Sequence, residues 1–461
     1  MNYNELRQFI VEEKIKGSPN INFYLIEKYK RIIENTETIR VNGKVIDVIG
    51  LVIVSVGPNA VLGEICTIFD QNGNEICKAE VVGFKNGKVL SIAIGEVHNI
   101  SPACEIKASG RSFSVGVGKE LLGRVIDGLG NPIDGKGEIN YSSFRDSHRE
   151  PPNPLERKRI SLPIQTGIRA IDGLLTIGKG QRVGIFAGSG VGKSVTLGMI
   201  ARNTSADVNV IALIGERGRE VREFIERDLG EEGLSRSVVV CATSDKSPLI
   251  RMKGAYVATT IAEYFRDLGM DVMLMMDSVT RFAMAQREIG LTIGEPPTTK
   301  GYTPSVFALL PKLLERAGNT EKGSITGLYT VLVDGDDMTE PIADAARSIL
   351  DGHIVLSRKL ANKNHYPAID TLQSVSRVMP DIVDREHFQR AMRFNEILAT
   401  YREAEDLINI GAYVKGSNPQ IDHALSKINL LRSYLKQDIF EKALYDQSVD
   451  KLNQIIEGPL L

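Results

Sequence analysis

The amino-acid sequence predicts an α/β protein in which a small all-β unit precedes a parallel sheet and a helical segment follows it. From about 161 to 375, apolar strand-length runs alternate with helical stretches, as in a parallel sheet covered by helices. Between 38 and 108, short Val- and Ile-rich runs are separated by tight-turn residues. After 381 the chain is charged and helical in its pattern.

The composition is that of an ordinary soluble globular protein. The chain has 461 residues and a formal net charge of -2, from 56 basic and 58 acidic residues. This balance gives no general field that would attract nucleic acid or an anionic membrane. The four cysteines form no CxxC pair, so zinc is not expected. No apolar run approaches the ~18 residues of a membrane span and no signal-peptide core is present, so we expect a cytosolic or cytosol-facing protein.

The N-terminal segment, 1–36, is expected to form amphipathic helices. Its apolar residues between 2 and 35 follow helical spacing, with a break near Gly17–Pro19. The apolar faces either pack against the body of the chain or dock onto a partner, and periodicity leaves both open.

The next segment, 37–108, is expected to form a small β-barrel. Its apolar runs are separated by the turn sequences Gly57–Asn59, Asn72–Asn74 and Asn86–Gly87. Between 36 and 105 there are five basic residues, eight acidic residues and two aromatic residues. A barrel that bound single strands would need basic grooves and stacking platforms, so we expect no nucleic-acid binding.

Residues 120–160 are rich in Gly, Pro and Asp and are interpreted as a connector. A predicted loop, Gly411–Pro419, interrupts the helical C-terminal segment. The expected strands of the parallel sheet are Val183–Ala187, Val208–Ile214, Val238–Ala242, Val272–Met276 and Leu328–Val333.

A glycine-rich phosphate-binding motif, a Walker A sequence or P-loop, lies between a predicted strand and a predicted helix. Ala187 stands where the strict motif has glycine, and the remaining residues fit. The glycines let backbone N–H groups surround phosphates, and the helix N-terminus adds positive partial charge. Lys193 supplies a point charge for the β and γ phosphates, and Ser194 offers a hydroxyl to Mg²⁺, so ATP and Mg²⁺ are the expected ligands. The motif residues are Ala187, Gly188, Ser189, Gly190, Val191, Gly192, Lys193 and Ser194.

Two strand ends supply carboxylates for this site. Asp277 ends the apolar run that begins at Asp271, and a strand beside the P-loop strand would bring it to the edge where the metal lies. Glu216 follows the next apolar strand after the P-loop helix, where it can orient or deprotonate the attacking water. Arg219 and Glu220 lie just beyond Glu216. They either take part in the site or form an exposed ion-paired loop, and the sequence favours neither.

Arg377 is a candidate for positive charge in the transition state. It follows a predicted strand end, within Ser374–Met379. Such an arginine is either a structural salt-bridge partner or an arginine finger that reaches a neighbour's ATP. The sequence pattern leaves both open.

These features resemble the rotary-ATPase superfamily, and within it most closely the flagellum-specific and type III secretion ATPases, from about 20 to 445. The resemblance implies an α/β fold with a RecA-like P-loop ATPase core (109–380), an N-terminal β-barrel and a C-terminal helical domain (381–461). The supporting segments are Gly123–Asp134, Thr166–Thr176, Gly180–Ser194, Asp277–Ala283, Arg287–Leu291, Gly294–Thr298 and Asp351–Arg358.

The resemblance also implies roles for single residues. Glu216 matches the catalytic carboxylate of the family, Arg217 its neighbouring arginine, and Asp277 the Walker B acid. Arg377 matches the finger that is supplied across the subunit interface.

The resemblance also implies a nucleobase site. Tyr366 matches the aromatic residue that stacks on adenine, although a packed surface tyrosine explains it too. The opposite wall stays open among Tyr434, Lys436 and Gln437.

The implied assembly is a homohexamer with peripheral membrane association at the cytoplasmic face of the inner membrane. Expected partners are a stator-like regulator at the N-terminal helices, a central stalk protein facing the Gly411–Pro419 loop, the export gate, chaperones and export substrates. The implied function is ATP hydrolysis that energises protein export, by chaperone release and substrate unfolding. The sequence favours a flagellar apparatus, with a virulence injectisome as the alternative.

Three other functions compete with this one. A catalytic subunit of a rotary ATP synthase is the nearest, but residues 215–222 and 277–281 fit the export class better. An RNA-translocating hexamer would need a basic, aromatic barrel. A nucleotide-binding but inactive subunit would lack the catalytic carboxylate, whereas Glu216 is present.

Overall fold

The computed structural model describes residues 42–95, 99–333, 335 and 337–457. The helices expected between 2 and 35 lie outside the described residues. The described chain forms a closed β-barrel, a central α/β unit and a helical C-terminal unit, which confirms the predicted fold class.

The barrel consists of antiparallel strands with alternating burial. On β3, Cys66 and Ile68 are fully buried while Thr67 between them is partly exposed, the period of two that a barrel wall requires. The sixth strand continues past residue 108, the predicted end of the barrel segment. The predicted domain boundaries stay predictions. The strands close in the order β1-β2-β5-β4-β3-β6 and are β1 (Gly43–Ile49), β2 (Val52–Val56), β3 (Glu64–Phe69), β4 (Glu75–Lys85), β5 (Lys88–Ile94) and β6 (Glu105–Ser112).

A nine-stranded sheet forms the centre of the described part of the chain. Its strands are β8 (Arg124–Asp127), β10 (Arg182–Ala187), β11 (Val208–Ile214), β12 (Ser237–Ala242), β13 (Asp271–Asp277), β14 (Gly318–Asn319), β15 (Ser324–Leu332), β16 (Gly352–Leu356) and β17 (Val375–Ser376). Their order is β17-β16-β10-β15-β13-β11-β12-β8, with β14 beside β15, and the strands from β16 to β8 run parallel. The five predicted strands are all present. Because parallel strands end at one edge, the residues after β10, β11 and β13 meet there.

The segment interpreted as a connector contributes a strand to this sheet. Strand β8 pairs in parallel with β12 at the sheet edge. Two further strands, β7 (Ser114–Val117) and β9 (Ser143–Asp146), form an antiparallel ribbon. The connector interpretation is therefore wrong for β8 and β9, which lie within 120–160. Strand β8 is four residues long and pairs with a strand that is distant in sequence, so the surrounding glycines dominated the local pattern.

Helices cover both faces of the sheet. On β11, Val210 and Ala212 enter one apolar core, and Ile211 and Leu213 enter another. Burial on both faces explains why this strand is apolar at every position except Asn209. The helices are α1 (Arg169–Leu174), α2 (Lys193–Asn203), α3 (Gly218–Glu223), α4 (Gly230–Ser235), α5 (Pro248–Asp267), α6 (Val279–Ile293), α7 (Pro304–Leu314), α8 (Pro341–Ile349), α9 (Arg358–Asn362) and α10 (Met379–Ile382), with a π-helix at Phe224–Leu229 and 3-10 turns at Lys119–Leu121, Pro154–Glu156 and Thr299–Gly301.

The C-terminal unit consists of α11 (Arg385–Asn409), α12 (Pro419–Leu435) and α13 (Tyr445–Glu457). Phe394 and Tyr434 are fully buried between these helices, with ring centroids 5.5 Å apart. The predicted loop after α11 is present, and Ile410 and Val414 are exposed there. Among the described residues, no helix combines the length and apolar character that crossing a bilayer requires.

The barrel is joined to the central unit by apolar packing and by a buried ion pair. Val52, Val54 and Ile92 of the barrel belong to the same apolar core as one face of β11. Lys253 of α5 lies 2.5 Å from Glu80 of β4, and their side chains are 0% and 6% exposed. Losing one partner would therefore leave an uncompensated charge in the interior.

Replacing Lys253 by methionine should weaken the fold by about 3–5 kcal/mol, because Glu80 would stay buried without its counter-charge. Denaturant unfolding followed by circular dichroism measures this free energy. Lys246→Met is the matched control, because its pair with Asp245 is exposed and should contribute less than about 1 kcal/mol. Equal effects of the two substitutions would contradict the role assigned to burial.

Candidate active site

The phosphate-binding motif forms a tight turn between β10 and α2. The strand ends at Ala187 and the helix begins at Lys193. Gly190 and Gly192 have φ angles of 78° and 90°, in the left-handed region that favours glycine. The turn can therefore direct its N–H groups and the helix N-terminus toward one small volume. Of the other motif residues, Gly188 and Val191 are buried, Ser194 is half-buried and Ser189 is exposed.

Lys193, Asp277 and Glu216 form a charged cluster at this sheet edge. Lys193 Nζ makes a close contact with Asp277 Oδ1 and lies 3.5 Å from Glu216 Oε1. The three side chains are 11%, 3% and 17% exposed, respectively. Burial alone would lower the pKa of Lys193, but the carboxylates of Asp277 and Glu216 outweigh it and raise that pKa. The lysine therefore stays charged and is the counter-charge for both carboxylates.

Glu216 carries a carboxyl group that titrates near neutral pH. It follows β11 after Gly215, and its carbonyl accepts a hydrogen bond from the Ser244 N–H at 3.0 Å. Burial raises the pKa of Glu216 to about 7, the Asp277 carboxylate adds to the rise, and Lys193 opposes it. Such a group suits the task of orienting water or accepting its proton.

Asp277 and Ser194 offer oxygen ligands of the kind that Mg²⁺ prefers. Asp277 is 2% exposed at the end of β13, and Thr330 of β15 donates a hydrogen bond to its Oδ1 at 2.8 Å. Over the described ranges, no group of three or more His, Cys, Asp or Glu side chains could hold a metal alone. Mg²⁺ is commonly held by one or two carboxylates together with substrate phosphates, so the residues present fit this ion.

Arg217 lies outside the charged cluster. It precedes helix α3, its side chain is 82% exposed, and Nη1 lies 3.6 Å from Glu220 Oε1. Arg219 is likewise exposed and paired with Glu223 at 2.8 Å. The structure thus shows an exposed ion-paired surface for these residues.

Arg281, for which the sequence pattern predicted no role, lies beside Gly215, the residue before Glu216. A Cβ atom at Gly215 would lie 2.9 Å from Arg281 Cβ and Cγ. Arg281 Nε is buried and has no hydrogen-bond partner among the described residues. A signal existed in the sequence, because Arg281 falls in the first turn of α6, directly after the strand that ends in Asp277. Side chains in that turn return toward the sheet edge.

Tyr366 lies beside the P-loop. A Cβ atom at Gly192 would lie 3.6 Å from Tyr366 Cε1, and the tyrosine is 41% exposed. Its carbonyl accepts a hydrogen bond from the Gln437 N–H at 3.0 Å. Tyr434 is fully buried and donates to the Ser448 carbonyl at 3.0 Å. Tyr434, one of the three candidates for the second adenine wall, is therefore not part of the exposed surface around Tyr366.

Arg377 lies far from the P-loop of its own chain. Its N–H donates to the Asp351 carbonyl at 3.1 Å, and Asp351 pairs with Arg182, the first residue of β10. The P-loop follows the other end of β10 at Ala187, about 17 Å away at the usual rise of a strand. Arg377 is exposed, and Nη1 lies 3.3 Å from the Leu350 carbonyl. Within one chain, the structure does not bring Arg377 to the phosphate site.

Three protein-family models match the chain. Residues 167–376 match the ATP synthase alpha/beta family, nucleotide-binding domain, and residues 39–110 match the beta-barrel domain of that family. Residues 383–454 match the T3SS EscN ATPase C-terminal domain. The chain belongs to the ATP synthase alpha/beta family and is an ATP-hydrolysing P-loop enzyme.

Within this family, the chain groups with the flagellum-specific and type III secretion ATPases, which confirms the resemblance inferred from the sequence. It is 56% identical to the Flagellum-specific ATP synthase of Bacillus subtilis (strain 168), over 92% of this chain and 97% of the relative. It is 52% identical to the Type 3 secretion system ATPase of Xanthomonas euvesicatoria, over 90% of this chain and 94% of the relative. It is also similar to the assembled ATPase EscN of the enteropathogenic E. coli type III secretion system, with TM-score 0.85, 46% identity and coverage of 90% of this chain and 100% of EscN.

Without nucleotide, Glu216→Gln should stabilise the chain increasingly as the pH rises. Folding raises the pKa of Glu216 from 4.5 to about 7. The folded chain therefore binds the proton more tightly than the unfolded chain, so the wild type loses stability as the pH rises from about 4.5 to about 7. Glutamine does not titrate, so this loss is absent in the variant.

Melting temperatures of the wild type and Glu216→Gln, measured between about pH 5 and about pH 8, test this prediction. The difference between the two proteins should grow as the pH rises. Glu223→Gln is the matched control, because its carboxylate is partly exposed and paired with Arg219. A constant difference between wild type and Glu216→Gln over the whole pH range would contradict the raised pKa.

Proposed function

We propose that this enzyme hydrolyses MgATP to energise protein export through a flagellar-type type III secretion apparatus, releasing chaperones and unfolding substrates at the export gate. The observation that carries the proposal is the buried cluster of Lys193, Asp277 and Glu216, in which ammonium and Glu216 carboxylate are 3.5 Å apart. The export assignment is supported by the 56% identity to a flagellum-specific relative. The 52% identity to a type 3 secretion relative supports an injectisome as the alternative.

Nucleotide binding follows from the charges of the site. The P-loop N–H groups and the start of α2 hold the phosphates. Lys193 moves from Asp277 to the β and γ phosphates, which carry more negative charge than one carboxylate. Mg²⁺, when held by Ser194, Asp277 and the phosphates, neutralises part of that charge. The exposed ring of Tyr366 is available to stack on the adenine.

Hydrolysis needs a water in line with the terminal phosphorus and positive charge around it. Glu216 orients this water and accepts its proton, a role that suits a pKa near neutrality. Arg281 packs beside Gly215, the residue before Glu216, and can stabilise the terminal phosphate. Arg217 can join it after rotating away from Glu220.

Arg377 acts on the nucleotide of a neighbouring chain in a homohexamer. It is exposed and lies at the opposite end of β10 from its own P-loop, so a second chain has to receive it. The similar EscN structure is described as an assembled ATPase. Identical chains that each carry Glu216 and Arg377 can complete one another's sites.

Partner contacts are proposed at a loop of the C-terminal unit and at the N-terminal segment. The Gly411–Pro419 loop faces a central stalk. Two exposed apolar residues support this, Ile410 just before the loop and Val414 within it. EscN has been solved in complex with its central stalk EscO, and that EscN structure has a TM-score of 0.83 with this chain. The N-terminal segment, 1–36, for which the sequence predicts helices, binds a stator-like regulator. The ring associates peripherally with the cytoplasmic face of the inner membrane.

Glu216→Gln should retain MgATP binding while turnover falls by a factor of about 10²–10⁴, because glutamine cannot accept the proton of water. Phosphate release and the affinity for a fluorescent ATP analogue separate these two effects. Glu223→Gln, seven residues after Glu216 and paired with Arg219 at the surface, should keep normal turnover. Normal turnover in Glu216→Gln would overturn the proposed function.

Mixed rings of Arg377→Ala and Glu216→Gln chains should regain turnover that neither variant has alone. Interfaces that combine Arg377 of one chain with Glu216 of the other are complete, provided that the finger acts between chains. Phosphate release from co-assembled rings measures the gain, with each variant alone as the control. If mixing restores nothing while mixed rings form, Arg377 does not act across the interface.

A further inference from the structure

We infer that Thr330 is a positioning residue for Asp277, whose hydroxyl keeps that carboxylate oriented toward Mg²⁺ after Lys193 has moved to the nucleotide. The inference rests on the proposed function in assigning Asp277 to the ion. Thr330 is fully buried in β15, the strand between the P-loop strand β10 and the Asp277 strand β13. In the strand register, Met276 pairs with Tyr329, which places Thr330 level with Asp277.

The Thr330 hydroxyl proton is directed at the carboxylate. Thr330 Oγ1 lies 2.8 Å from Asp277 Oδ1 and 3.3 Å from the Met276 carbonyl oxygen. A hydroxyl has one proton to donate, and the usual O–H···O distance is about 2.7–2.8 Å. The shorter bond is also assisted by the charge of its acceptor. The carboxylate is therefore the acceptor.

The two side chains that hydrogen-bond Asp277 in the described part of the chain are Lys193 and Thr330, and both contact Oδ1. This arrangement leaves Oδ2 as the oxygen that can face a metal. When Lys193 transfers to the phosphates, Asp277 keeps only one of these two hydrogen bonds, the one from the Thr330 hydroxyl. Without it, rotation of the carboxylate about χ2 is broadly allowed. Loss of such an outer partner typically lowers metal affinity by about 10–100-fold.

Thr330→Val removes the hydroxyl and keeps the β-branched shape that suits a buried strand. The affinity for MgADP should fall by about 10–100-fold, whereas the affinity for ADP in EDTA should stay near that of the wild type. Isothermal titration calorimetry measures both affinities without turnover. Thr330→Ser retains a hydroxyl, so magnesium should increase its affinity for ADP nearly as much as in the wild type.

Thr326→Val is the matched control. Thr326 is also fully buried, lies four positions earlier on the same face of β15, and its hydroxyl accepts from the Gly180 N–H at 2.9 Å. This variant loses a hydrogen bond far from Asp277 and should keep the wild-type ratio of MgADP to ADP affinity. If Thr330→Val does not fold, Thr330→Ala takes its place with the same expected loss.

An unchanged ratio of MgADP to ADP affinity in Thr330→Val overturns the inference, and so does an equal loss in Thr326→Val. Failure of the proposed function is a separate result, because it shows as normal turnover in Glu216→Gln. If Glu216→Gln is inactive and the magnesium dependence of Thr330→Val is that of the wild type, the role of Thr330 alone is rejected.

Discussion

One buried ammonium group balances two carboxylates at the edge of the central sheet. The Lys193, Asp277 and Glu216 side chains are each less than a fifth exposed, so water screens their charges poorly. The two carboxylates raise the pKa of Lys193 and hold it charged, and burial together with the Asp277 carboxylate raises the pKa of Glu216 to about 7. In the proposed mechanism, Lys193 leaves Asp277 for the triphosphate, and Asp277 would then be free to hold Mg²⁺.

The sheet order is what brings these charges together. Strand β10 leads into the P-loop, β13 ends at Asp277, and β11 ends just before Glu216. Because these strands are parallel, all three ends lie on one edge of the sheet. Strand β15 lies between β10 and β13 and contributes Thr330 at the level of Asp277. Apolar cores on both faces hold these strands in place. The fold thus fixes distances between residues that are far apart in the sequence.

The sequence predicts the features whose signals are local. The apolar runs, the glycines before Lys193 and the carboxylates at strand ends all lie within a few residues of the structure they determine. Strand β8 gives no such signal, because it is short and pairs with a distant strand. Thr330 is an ordinary residue for a strand, and its importance depends on which strands lie on either side. The position of Arg377 depends likewise on the antiparallel return of β17 beside β16.

The exchange of partners by Lys193 is tested most directly by a structure with Mg²⁺ and a non-hydrolysable ATP analogue. We expect that Lys193 Nζ leaves Asp277 and lies within hydrogen-bond distance of the β and γ phosphate oxygens, with Glu216 facing the terminal phosphorus. A bound triphosphate with Lys193 still on Asp277, or with Glu216 turned away in every subunit, would contradict it.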